Sequence, residues 1–279
     1  MLDHTGKSID RKKKFYGQAF TIYGLVEYFL AVGEQRALET AQNLYGLIEK
    51  YSFDQTNAGY FEAANRDWSP ADDLRLSDKD MNEKKSMNTH LHIIEAYTHL
   101  YRAWPDAGLK KQLTCLFDTF FEHIIDPDTA HFILFFDENW NSKSKNVSFG
   151  HDIEGSWLLS ETVDVLADND RLNKVREWAL RIADVTALQG MSKEHGVYYE
   201  RDGNTDMDTD FHWWVQAEAM VGFLNAYQMS RENRYLDISR KIWQFIHKNI
   251  VDHTHGEWFY RIDQQYRPYP EEFKICEWK

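Results

Sequence analysis

The chain has 279 residues, enough for one large domain or two ordinary ones, and 43% hydrophobic residues with 15% aromatic ones can fill a substantial core. A formal charge of -13 repels polyphosphate, and no Lys/Arg run exceeds Arg11 to Lys14, which excludes nucleic acid as a natural partner. No window approaches the roughly 18 uninterrupted apolar residues of a membrane span, and MLDHTGKSIDRKKKF has no apolar signal core, so no membrane contact and a cytoplasmic location are expected.

The first predicted element, FYGQAFTIYGLVEYFLAV at 15–32, is apolar almost all round and is expected to be buried. The next, ALETAQNLYGLIEKY, keeps one apolar stripe at Leu38, Ala41, Leu44, Tyr45 and Ile48, so its other side faces water. A short aromatic tag, GYFEA, follows at 59. The same succession returns as 84–104 and 107–125 closed by HFILFFD at 131, as 151–167 and 170–188 closed by GVYYERD at 196, and as 211–228 and 233–250 closed by GEWFYRID at 256.

Four copies of one unit make an internal repeat. Alternating fully buried and half-buried helices do not fit a simple bundle, in which every helix shows a polar face, but they fit two concentric rings. The expected fold is therefore an all-α (α/α) barrel, one domain over residues 1–279, with short β segments between the hairpins. A closed toroid of this kind usually has about six hairpins, so four predict an incomplete one. Cys115 and Cys276 are too few for a disulfide framework, and Cys115 within LTCLFDTFF reads as a buried, reduced thiol.

Polar and aromatic residues recur at the starts of the inner helices: Tyr16, then Asn88, His90 and His92, then His151 and Glu154, then Trp213, Trp214 and Glu218. Inner helices separated by one returning outer helix all run the same way, so these ends would gather at one mouth and line a pocket. Capping and solvated termini account for Ser86 or Asp152 but not for repeated His and Trp. Within MNTHLH, His90 and His92 lie about 200° apart on a helix, so only one can point inward and the pair does not suit one metal ion. His92 shares a face with Glu95, as His151 does with Glu154, placing an imidazole and a carboxylate at i, i+3. His90 reads as a packed or hydrogen-bonded histidine. Two H-x-x-E pairs leave a metal site open as an alternative, though no H-E-x-x-H or C-x-x-C accompanies them. Carboxylates such as Asp80, Glu154 and Glu218 leave glycoside hydrolysis open as well. Histidine, with an ordinary pKa near neutrality, suits removal and return of a proton beside a carbonyl.

KSMNTHLHIIEAYTHLYRAW, the preceding RLSDKDMNEKK, FGHDIEGSWLLSE, HWWVQAEAMVGFLNAY and HGEWFYRID closely resemble the cellobiose 2-epimerases of the N-acylglucosamine 2-epimerase superfamily, over essentially the whole chain. The resemblance implies an (α/α)6 barrel that epimerises C2 of the reducing-end glucose or mannose in β-1,4-linked disaccharides such as cellobiose and lactose. It implies no cofactor and no metal, a disaccharide as the partner, and a monomer or weak homodimer. In such enzymes one histidine removes the C2 proton and a second returns it to a planar enediol(ate); His151 matches one of these. His92 matches the histidine that, with an arginine, steadies the enediolate oxygens. Asn88, Asp80, Glu154 and Glu218 match polar groups around the sugar or the histidines, and Tyr16, Trp214 and Trp278 match aromatic walls. Relatives run to roughly 400 residues, so two N-terminal hairpins, the arginine and the second acid/base histidine are expected to lie outside this sequence, and the 279-residue chain by itself is expected to be inactive. An aldose-ketose isomerase using the same enediol, and a sugar-binding module without turnover, are the competing functions.

Overall fold

Each repeat opens on a two-residue strand, runs up one helix and back down a second, and returns through its aromatic tag to pair with its own opening strand. The computed structural model describes residues 3–77, 80–203 and 206–274. The first repeat is β1 (Lys13–Lys14), α1 (Phe15–Val32), α2 (Gln35–Tyr51) and β2 (Ala63–Ala64). The second is β3 (Lys85–Ser86), α3 (Met87–Ala103), α4 (Ala107–Thr119) and β4 (Phe135–Phe136). The third is β5 (Val147–Ser148), α5 (Phe149–Leu166), α6 (Asn169–Val185) and β6 (Glu200–Asp202), with β7 (Asp206–Asp208) beside β6. The fourth is β8 (Phe211–His212), α7 (Trp213–Ser230), α8 (Asn233–Phe245) and β9 (Arg261–Ile262). β1 pairs with β2, β3 with β4, β5 with β6 and β8 with β9, all antiparallel.

Local chemistry accounts for these boundaries. Ser86 caps α3 by accepting from the Thr89 N–H at 3.1 Å, Asp106 caps α4 and Asp168 caps α6, while Gly33 at φ 76° ends α1. Where the periodicity predicts a helix from 84, α3 starts at Met87, because Lys85 and Ser86 are taken into the ladder with Phe136 and Phe135. The outer helices of the last three repeats widen into π turns at Phe120–Ile124, Thr186–Gly190 and Ile246–Ile250. Beyond them the chain turns on an aspartate at three places: the carboxylates of Asp54, Asp126 and Asp252 each accept two backbone N–H groups two and three residues on.

The fold divides into two compact units. The first comprises Met1–Ile124, Ile133–Ser144 and Val165–Ala167; the second comprises Ile125–Phe132, Lys145–Asp164 and Asp168–Lys279. In the first, α3 is buried along almost its whole length from Thr89 to Leu100, and packs against α1. In the second, Phe149 and Ile153 of α5 join Val215, Ala219 and Phe223 of α7 and Phe245 in one core. The expectation that α1 would be buried all round is corrected: Phe15, Ala19, Ile22 and Val26 are covered, but Tyr28, Leu30 and Val32 are about half exposed. Within its unit, α1 meets α2 and α3 on one side only, and no described residue covers the other. No helix among the described residues is long and apolar enough to cross a membrane.

Candidate active site

A repeated clip fixes the start of each inner helix. The fourth residue of α3, α5 and α7 is His90, Asp152 and Gln216, and each accepts a backbone N–H from the tag of the preceding repeat. Tyr60 N–H donates to His90 Nε2 at 2.8 Å, Phe132 N–H to Asp152 Oδ1 at 2.8 Å, and Val197 N–H to Gln216 Oε1 at 2.8 Å. Gln18 holds the same place in α1, and both of its amide atoms are buried with no hydrogen-bond partner among the described residues. These clips settle His90. Its Nδ1–H donates to the Ser86 carbonyl at 2.6 Å while Nε2 accepts, so it is a neutral structural histidine, and complete burial pushes its pKa down to about 3. Gly59 is required beside it: its φ is 75°, and a Cβ there would come 2.7 Å from His90 Nε2.

In the first unit, two turns of α3 carry His92 onto the face of α1. The ring stands edge-on to Tyr16, with centroids 5.0 Å apart at 89°, and 4.6 Å from Phe20. Its Nδ1 is 2.9 Å from Glu95 Oε2, the i, i+3 contact expected from the sequence, with both residues under 10% exposed. A carboxylate can only accept, so it holds the proton on Nδ1. Asn88 lies one turn earlier, its Oδ1 buried without a partner among the described residues. It borders a cavity of about 20 Å³, room for roughly one water, with Glu62, Asp80 and Ser86. Asp80 accepts from the Ser77 N–H at 2.7 Å and from its hydroxyl at 2.9 Å. Glu62 accepts from Ser86 N–H and from the Thr89 hydroxyl, both at 2.7 Å, which ties the first turn of α3 to the tag of the first repeat. Burial raises its pKa to about 7.

In the second unit, His151 occupies the first turn of α5 and is half-buried. Its Nδ1 is engaged by Ser148 Oγ at 2.7 Å, and the Trp214 ring of α7 lies against it, 4.7 Å away at 53°. Gly150 makes that approach possible, since a Cβ at this position would lie 2.6 Å from the Trp214 ring. Glu154 is buried one turn on. Trp157 Nε1–H donates to Glu218 Oε2 at 2.9 Å, which ties α5 to α7. Asp152, read from sequence as a solvated terminus, is 1% exposed and corrected to a core group. Besides its clip, its Oδ2 is 2.7 Å from His131 Nδ1. Burial opposes charge on His131, but the Asp152 carboxylate outweighs it and raises that pKa.

The structure thus brings Tyr16 to His92 in one unit and Trp214 to His151 in the other, and Asn88 and Asp80 to one cavity. Trp278 lies outside the described residues. Ser148, Glu62 and Trp157 escaped the sequence reading. Only Ser148 had a signal, since a serine precedes both α3 and α5. Cys115 is half-buried rather than buried, its thiol pushed up by burial and by Asp118 and Glu122. No cluster of three or more His, Cys, Asp or Glu side chains suited to a metal ion forms among the described residues.

Residues 1–274 match the N-acylglucosamine 2-epimerase (GlcNAc 2-epimerase) family. The chain is 45% identical over 262 residues to a cellobiose 2-epimerase of Bacteroides fragilis, covering 94% of this chain and 67% of that protein. It is 38% identical to a cellobiose 2-epimerase of Dictyoglomus turgidum, covering 97% of this chain and 69% of that one. The solved structure of cellobiose 2-epimerase from Bacillus thermoamylovorans B4167 superposes with a TM-score of 0.91 at 36% identity, over 96% of this chain and 69% of that chain. The four-hairpin, all-α architecture is the fold of these helical-barrel epimerases.

Proposed function

The chain belongs to the N-acylglucosamine 2-epimerase family, and from that premise we propose that it is a carbohydrate isomerase acting at C2 of the reducing-end glucose or mannose of β-1,4-linked disaccharides, cellobiose and lactose among them. The observation that carries the reading is the likeness, over nearly the whole chain, to relatives named cellobiose 2-epimerase. The local geometry supports it. With Nδ1 committed to Ser148, His151 works through Nε2: the nitrogen takes the proton from C2 of the open-chain sugar and the C–H electron pair moves into an enediolate. Trp214, lying against the ring, offers an apolar wall to a sugar face, and Glu154 and Glu218 offer acceptors to hydroxyls. His92, backed by Glu95 and bordered by Tyr16, is built to donate a hydrogen bond to an enediolate oxygen. Asn88 and Asp80 bind sugar hydroxyls, and Trp278 supplies a further aromatic wall. No metal or organic cofactor enters this chemistry.

The test is to express the protein from its complete open reading frame and incubate it with cellobiose in deuterated water. The expected product is glucosyl-mannose carrying deuterium at C2, separated by chromatography and read by NMR. A glucosyl-fructose product would replace the reading with an aldose-ketose isomerase, released glucose with a hydrolase, and tight binding without turnover with a sugar-binding module.

A further inference from the structure

Among the described residues several histidines have a side-chain partner at Nδ1, and the partners differ in kind: His99 with Glu27 at 2.6 Å and the exposed His255 with Asp252 at 3.2 Å lean on carboxylates. His92 with Glu95 at 2.9 Å and His131 with Asp152 at 2.7 Å do the same, whereas His151 faces the Ser148 hydroxyl at 2.7 Å. Ser148 is 4% exposed and held by the β5 ladder opposite Glu200, so its oxygen is fixed in place. Ser86 stands at the same point before α3 and accepts the Thr89 N–H of the helix, the ordinary capping use of such a residue. Before α5 the hydroxyl meets the side chain of the third helical residue instead. Trp214 lies against that same ring, and the two contacts together define its orientation.

We propose that Ser148 is the positioning residue for His151, holding the ring proton on Nδ1 so that Nε2 is the atom that exchanges a proton with one face of C2. The proposal rests on the C2 chemistry of the preceding section. A carboxylate at Nδ1 would stabilise the imidazolium and oppose release of the captured proton, whereas a neutral hydroxyl orients the ring without adding charge. In the forward step the C2–H bond breaks, its electron pair forms the C1–C2 double bond of the enediolate, O1 takes the negative charge, and the proton bonds to Nε2. The Nδ1–H goes on donating to Ser148 Oγ throughout. Inversion needs a proton delivered to the opposite face of C2 by a second acid, while the proton on Nε2 passes to solvent or, in the reverse reaction, returns to its own face; nothing is oxidised or reduced.

The experiment compares the wild-type protein, expressed from its complete open reading frame, with Ser148→Ala and Ser148→Thr. Deuterium exchange at C2 of cellobiose gives kcat and KM, and the nitrogen-15 shifts of His151 give its tautomer. Ser148→Ala is expected to lower kcat about 10-fold or more with KM within about twofold, and Ser148→Thr to recover most of the rate. In the nitrogen spectra Ser148→Ala moves the ring proton from Nδ1 towards Nε2. Wild-type kcat in Ser148→Ala, unchanged nitrogen shifts, or a joint loss in kcat and KM that threonine does not rescue would each overturn the proposal. If the wild type exchanges no C2 proton on cellobiose, the disaccharide reading falls, and the nitrogen shifts alone decide for or against Ser148.

Discussion

His92 and His151 stand on the first helices of the second and third repeats, one in each compact unit, and their surroundings differ. His92 is buried under Tyr16 and Phe20 and leans on a carboxylate; His151 is half-buried under Trp214 and leans on a hydroxyl. A ring with a carboxylate at Nδ1 is a steady donor, and a ring with a neutral partner can give up the proton it takes. Both surroundings are built on copies of one repeat, so the difference between them arises from single side chains set on a common frame.

The largest effects are expected at the rings themselves. His151→Ala is expected to reduce C2 exchange on cellobiose by roughly 1,000-fold while cellobiose still binds, and His92→Ala to reduce it by roughly 100-fold; equal losses would show that the two histidines share one role. Turning the partner of His92 into a neutral one tests the charge directly. Glu95→Gln keeps an acceptor at Nδ1 but removes the charge, and a fall in kcat of roughly 10-fold is expected in steady-state assays.

Stability reads the histidine that holds the fold, His90. His90→Phe leaves the Tyr60 N–H without its acceptor and should cost about 2–4 kcal/mol in urea denaturation. His90→Gln, the residue type that α7 uses for the same clip, should cost under about 1.5 kcal/mol at neutral pH. The same substitution has a pH signature. His90 is held neutral with its pKa pushed down to about 3 from 6.5, so unfolding takes up a proton, and stability present above pH 6.5 is lost as pH falls towards 3. His90→Gln removes that loss and should compare better with wild type at pH 5 than at pH 8. Glu62 acts in the opposite sense. Its pKa is raised to about 7 from 4.5, so unfolding releases a proton, and stability present below pH 4.5 is lost as pH rises through about 7. Glu62→Gln should therefore gain on wild type at pH 8 relative to pH 5, and a pH-independent difference would show that the carboxyl stays ionised in the fold.

Much of this was legible in sequence, and for a definite reason. Periodicity is a local property, so the eight helices, the four tags and the His92–Glu95 contact could be read from spacing alone. The clips could not. His90, Asp152 and Gln216 differ in chemistry and share only a position, and their partners are backbone groups 30, 20 and 19 residues earlier in the chain. Asp152 looked like a solvated helix end because nothing nearby in sequence announces His131. The apolar sequence of α1 likewise implied burial that its surroundings within the unit supply on one face only.

The repeat, the helix pairs, the acidic character and the candidate histidines were all readable from the amino-acid sequence, because each depends on composition or on spacing within a few turns. Only the tertiary structure decided which histidine is structural and which partner each ring leans on. That choice rests on hydrogen bonds and ring contacts whose geometry depends on how strands and helices from different repeats come together, and side-chain spacing along one helix carries no information about them.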